Sequence, residues 1–129
     1  MALKESVERA IEGIRERFAG HEVHVREDGE GGAFVTVDEL ELGDLYTQKT
    51  TWLGARIVHT YPYADVYPHF CRGDLSRKDG RPLGDGTSTA SWEGTAAIQL
   101  SRRSNHLEPE VDRADLKWLK VLDWLRRHP

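Results

Sequence analysis

The apolar residues at the start of the chain fall on one side of a helix. Leu3, Val7, Ala10, Ile11, Ile14 and Phe18 keep helical spacing, while Lys4, Glu5, Glu8, Arg9, Glu12 and Arg15 take the opposite side. A helix striped in this way packs one face on a core. Gly20 ends it, since glycine enters the left-handed conformation without steric cost. The period then shortens. Val23 and Val25 alternate with His24 and Arg26, which predicts a strand. Glu27 to Gly32 carries Asp-Gly and Gly-Gly, both hairpin signals, and Ala33 to Val37 resumes as the returning strand, with Leu40 and Leu42 extending or following it. A third strand runs from about Thr50 through Trp52, Leu53, Ile57 and Val58 to His59.

Prolines interrupt this pattern. Pro62 and Pro68 cannot donate to a ladder, so the stretch around them is an edge or a loop, and His69 to Arg72 follows as a short fourth strand. Gly73 to Gly94 holds five glycines and Pro82 and reads as one long loop, of the length that functional loops reach. Thr95 to Leu100 is a short apolar run of either type, and Ser101 to Asn105 is polar. The chain closes on a second helix. Asp112 serves as its N-cap with Pro109 just before it, Asp115 suits the first turn, and Arg126, Arg127 and His128 suit its C-terminus. Leu116, Leu119 and Leu122, with Trp118 and Leu125, form its apolar side. The expected class is α+β over residues 1–129: an N-terminal helix covering an antiparallel four-stranded meander, a long loop, then a C-terminal helix.

Composition narrows the function. The 129 residues carry 31% charged and 38% hydrophobic side chains and a net charge of −4, which fits a folded water-soluble domain and supplies no broad basic face for nucleic acid. No apolar run approaches the roughly 18 residues of a membrane span, and the N-terminal MALKESVERA has no signal-peptide core. A single cysteine, Cys71, cannot close an internal disulfide and fits the reducing cytoplasm. Zinc sites need paired ligands at tight spacing, which scattered His59, His69 and His106 do not make, and His21 and His24 read as solvated; no metal or cofactor is expected. Gly84-Asp85-Gly86 lacks the remaining residues of a phosphate cradle, and Arg72-Gly73-Asp74 is a chance triplet.

The stretch TYPYADVYPHFCRGD, Thr60 to Asp74, carries a resemblance. Helix, meander, tyrosine-proline segment, long loop and C-terminal helix is an order similar to the ubiquitin-conjugating (E2, UBC-like) fold, shared by RWD-like domains. Ile57, Val58, Tyr61 and Pro62 look like the end of that family's third strand; Tyr67 and Pro68 look like its Tyr-Pro pair; His69, Phe70 and Cys71 would open its fourth strand. Gly94 to Pro109 is similar to the segment from the family's active site to the proline before its next helix. The resemblance implies prolines that rigidify the corner under an active-site region. It also implies, from the single closing helix, a bacterial E2-like protein working beside an E1-like protein and a JAB-type peptidase, with a ubiquitin-like modifier as its cargo. The family's His-Pro-Asn is missing, and its nucleophile position falls near Ala97 to Gln99, none of which is a nucleophile.

Candidate chemistry follows. Transthiolation needs a thiolate, and Cys71 is the only thiol, with His69 and Asp74 close in sequence to lower its pKa. The plainer reading is a buried cysteine behaving as a small hydrophobe. Ser101 with His106 is the oxyester alternative, since serine needs an adjacent base; Arg102 and Arg103 offer a docking point for an acidic surface or a C-terminal carboxylate. Trp52 is assigned to the core. Trp118 and Trp124, six apart, are not both expected on the face of the leucines, which leaves Trp124 as a partner contact, and Trp92 anchors the long loop or meets a partner. Two functions are open: an acyl-carrying E2-like transferase, or an inactive E2-variant or RWD-like scaffold that binds an E1-like or modifier protein. A small enzyme using 73–94 as a lid is a third.

Overall fold

The computed structural model describes residues 3–102 and 113–127. Two helices and a six-stranded antiparallel sheet form an α+β arrangement, with strands in the order β1-β2-β3-β4-β6-β5. The elements are α1 (Glu5–Arg17), β1 (Val23–Glu27), β2 (Ala33–Glu41), β3 (Thr50–Ile57), β4 (His69–Arg72), β5 (Thr87–Trp92), β6 (Thr95–Leu100) and α2 (Ala114–Arg126).

Helix α1 buries Val7, Ala10, Ile11 and Ile14, the stripe its sequence predicts, and Gly20 follows at φ +93°. The β1–β2 turn is built on Asp28. Its Oδ1 accepts the amides of Glu30 at 2.8 Å and Gly32 at 3.0 Å, and its Oδ2 accepts Arg56 Nε at 3.0 Å. Burial pushes the Asp28 carboxyl up, but these donors together hold it below its ordinary value. A bulge then interrupts β2. Val37 pairs with Leu53 and Leu40 with Thr51, so Asp38 and Glu39 together face Trp52, and Glu39 sits at φ +54°. The bulge shifts the inward phase by one residue, which turns Leu40 and Leu42 toward the core after Ala33, Val35 and Val37.

Both helices lie on one face of the sheet. The core joins Val7, Ile14, Val35, Leu53, Ile57, Leu100, Trp118 and Leu125, all nearly sealed from solvent. The tyrosine-proline connection ties the helices to this face. Ser6 Oγ donates to the Tyr61 carbonyl at 3.0 Å, and the Ala114 amide donates to Tyr61 Oη at 3.0 Å, satisfying a first-turn donor of α2. Both Tyr61–Pro62 and Tyr67–Pro68 are cis. The expected Asp112 cap lies outside the described residues; Arg113 occupies the N-cap position without a side-chain cap.

Three expectations change. The sheet has six strands where four were expected, because the loop 73–94 and the run after it contain a β5–β6 hairpin that pairs β6 with β4. Trp118 belongs to the inward side of α2 with Ala114, Val121, Leu122 and Leu125, whereas Leu116 and Leu119 are half-buried flanks. Trp52 is half-buried on the opposite face of the sheet and does not belong to the core.

Candidate docking face

Strand alternation sends Phe34 and Thr36 of β2, Trp52, Gly54 and Arg56 of β3, and Phe70 and Arg72 of β4 away from the helices. Among the described residues, no element covers this side. Trp92, arriving from the end of β5, lies across Gly54. A Cβ at Gly54 would meet the indole at 2.9 Å, so the glycine is what lets the ring rest on the β3 backbone. Trp92 Nε1 donates to Thr36 Oγ1 at 3.1 Å, which fixes the ring's rotation. Phe70 stacks on it at 5.0 Å and Phe34 meets it edge-on at 5.7 Å. Trp92 thereby fastens the end of β5 to the backbone of β3.

Arginines frame the rings, and each is held by carboxylates. Arg26 lies 4.4 Å over the Phe34 ring and pairs with Glu93 at 2.9 Å. Arg56 reaches Asp28 and Glu30 at 2.9 and 2.8 Å. Arg72 pairs with Asp74 at 2.6 Å, and that hydrogen bond holds the Asp74 carboxyl below its ordinary value. A shallow cavity of about 300 Å³ opens between Trp92, Trp52, Phe34 and His24. A face with paired charges around two half-buried phenylalanine rings and a buried indole offers apolar contact, not a phosphate site. A larger cavity of about 700 Å³ lies between the helices, where Arg17 and Arg113 both reach Asp115, at 3.1 and 3.2 Å. At the rim of the docking face, Glu22, His24 and Asp38 offer possible metal-ligand atoms all within 4.8 Å of one another; His24 Nε2 is 2.7 Å from Asp38 Oδ2, and the trio is solvent-accessible.

Among the described residues, those singled out in the sequence do not meet at one place. Cys71 is fully buried on the helix side of β4, opposite Leu53 and Ile98. Burial pushes its thiol up to about 12, against the lowering expected from His69 and Asp74, so this thiol is the small core hydrophobe of the plainer reading. Native protein is therefore expected to resist iodoacetamide until denaturant opens the core; rapid native alkylation of Cys71, read by intact mass, would contradict this burial. Ser101 follows β6, half-buried, with its amide bonded to the Gly86 carbonyl at 2.8 Å and its Oγ accepting Gln99 Nε2 at 3.4 Å. Arg102 lies 5.0 Å over the Trp124 ring, and Trp124 packs against the core cluster as well as toward Gly86, so these two share a site and Trp92 does not join them. His106 and Arg103 lie outside the described residues.

Sequence reasoning missed Phe34 and Phe70 as half-buried rings on the outward face of the sheet. The available signal was their phase: each falls between inward-facing neighbours, Ala33 and Val35 or His69 and Cys71. It also missed the burial of His69, whose ring is sealed from solvent with neither nitrogen hydrogen-bonded among the described residues. Burial, with Lys117 nearby, lowers its pKa to about 3 and keeps the imidazole neutral. Among the described residues no helix is long and apolar enough to cross a membrane. No family model, curated protein or solved structure matches this chain.

Proposed function

We propose that this chain is a non-catalytic binding module of ubiquitin-like conjugation, an E2-variant or RWD-like scaffold in a bacterial cytoplasm. It holds a ubiquitin-like modifier against the open sheet face, for use by an E1-like partner. The observation that carries the choice of scaffold over carrier is the burial of the only thiol at Cys71, with its pKa pushed to about 12. A sealed, protonated thiol accepts no acyl group from an upstream thioester. The UBC-like reading is supported by a first helix ahead of antiparallel strands in chain order, by Tyr-Pro pairs between β3 and β4, and by a last helix returning to the same side. A modifier fits because the face balances its own charges and offers the half-buried rings of Phe34 and Phe70 over a buried Trp92, which suits a folded surface with an apolar centre.

The test incubates the protein with a ubiquitin-like modifier, its E1-like protein and ATP, and reads intact mass and reversible binding together. The expected result is no covalent adduct, with binding weakened at least about tenfold by Phe34→Ser plus Phe70→Ser and unchanged by Cys71→Ala. A reductant-sensitive adduct lost in Cys71→Ala would make the protein a thioester carrier. An adduct that resists reductant and is lost in Ser101→Ala would make it an oxyester carrier. Absence of both adduct and binding, with the E1-like protein charged, would remove ubiquitin-like chemistry from this protein.

A further inference from the structure

The sheet ends on two edges, β1 and β5, and they are built differently. Strand β1, Val-His-Val-Arg-Glu, is short and charged, and Arg15 Nη1 donates to its Val23 carbonyl at 3.4 Å. Charge and an attached side chain are devices that keep an edge from accepting another strand. Strand β5, Thr-Ser-Thr-Ala-Ser-Trp, has neither a charged residue nor a proline, and its pairing with β6 runs without a bulge.

The phase of this edge can be assigned. The Ser101 amide bonds the Gly86 carbonyl at 2.8 Å, and Gly86 and Ser101 continue the register that pairs Thr87 with Leu100. Hydrogen-bonded pairs alternate in an antiparallel ladder, so Ser88, Ala90 and Trp92 bond inward to β6. Thr87, Thr89 and Ser91 then point their N–H and C=O groups outward, and among the described residues no backbone bond reaches them. Ser88, Thr89 and Ser91 are exposed.

We infer that this edge pairs with the same edge of a second copy of this chain, antiparallel about Thr89, joining two sheets into one. The occupant is argued from self-complementarity. A two-fold axis at Thr89 sets Thr87 against Ser91 and Thr89 against itself, so outward groups meet outward groups. Ser88 meets Ala90 on the other face, and Trp92 meets Gly86. No like charges face each other within the strand; the first like pair, Asp85 with Glu93, lies beyond it, and Glu93 is already bound by Arg26. A foreign strand is selected by pockets for its alternate side chains, and threonines and serines along β5 form none. Small hydroxyl-bearing residues leave main-chain pairing as the contact this edge offers.

Sedimentation of the full chain over a wide concentration range tests this, together with amide hydrogen exchange. The apparent mass is expected to shift from 14.7 kDa toward twice that value as concentration rises. The amides of Thr87, Thr89 and Ser91 are expected to gain protection in step. Thr89→Lys, which sets two ammonium groups against each other at the axis, is expected to hold the protein as a monomer; Glu27→Lys on the other edge is expected to leave the shift intact. A monomer at every concentration would overturn the inference, as would a dimer that survives Thr89→Lys. Should Thr89→Lys fail to fold, exchange on the unaltered protein decides alone: β5 amides unprotected in the dimer would place the interface elsewhere.

Discussion

Stability is expected to fall as the pH drops below 6.5, well before the carboxylates titrate, because of His69. In the unfolded chain this imidazole takes a proton near its ordinary value of 6.5; in the folded protein it does so only near 3. Between those values the unfolded state binds more protons, so the folded state loses stability with falling pH and regains it on the way up. The contribution is fully present above 6.5 and declines below it at up to about 1.4 kcal/mol per pH unit. A descent through two units removes about 2–3 kcal/mol, a large share of a domain's usual 5–15 kcal/mol. The cause is structural. The ring is sealed under α2 with Trp118 edge-on at 4.8 Å, and the charges nearest to it, Lys117 and Asp65, are bound to each other at 3.2 Å. Lys117 opposes protonation and Asp65 favours it, both against a larger desolvation cost.

Urea unfolding at a series of pH values reads this directly. The His69→Leu variant, similar in size and without charge, is expected to flatten the decline between pH 6.5 and the carboxylate range. Asp74 and Asp79 have carboxyls lowered by Arg72 and Arg77, so their share is lost only as pH falls through and below 3.8, a separate window. A decline that persists unchanged in His69→Leu would rule out this imidazole as its source.

Truncating Trp118 to alanine is expected to cost about 3–5 kcal/mol, a large share of a domain's usual 5–15 kcal/mol. The side chain is completely buried and is the largest of the fully buried ones. It bridges layers: its Nε1 donates to the Leu53 carbonyl of β3 at 3.0 Å, and its ring covers His69 of β4. Trp118→Phe keeps most of the apolar contact and loses the donor, so it is expected to cost about 1–3 kcal/mol for the orphaned carbonyl and the smaller ring. Chemical denaturation of both variants checks the order. Coupling is also expected, since alanine at this position opens His69 to water: the acid decline should shrink in Trp118→Ala. Equal costs for alanine and phenylalanine would show that the hydrogen bond, and not the packing, dominates at this site.

Where the pattern is local, the chain discloses its structure. Helix α1, the Asp-Gly turn and strands β1 to β4 follow from spacing and turn residues in contiguous stretches, and they stand close to where that spacing puts them. The β5–β6 hairpin does not disclose itself. Its turn, Glu93-Gly94, takes φ values of +48° and +81°, but glutamate is not a residue that announces such a turn. Strand β5 lies at an edge with solvent on one flank, so its threonines and serines show none of the apolar alternation that marks a half-buried strand. The inward side of α2 is legible in part: Trp118, Leu122 and Leu125 face the core as the spacing predicts, while packing against Leu53 and His69 leaves Leu116 and Leu119 at its flanks.

The sequence by itself determined the α+β class, the helix that opens and the helix that closes the chain, and a cysteine count that allows only one thiol. These depend on neighbours along the chain, where spacing is fixed by covalent geometry. Only the tertiary structure decided that Cys71 faces inward, that His69 is buried without a partner among the described residues, that Phe34, Phe70 and Trp92 gather from different strands on one face, and that β5 is an edge strand. Those properties depend on strand register and on which side of the sheet the helices cover. A one-residue change of phase would reverse each strand's faces, and long-range pairing, not local spacing, sets that phase.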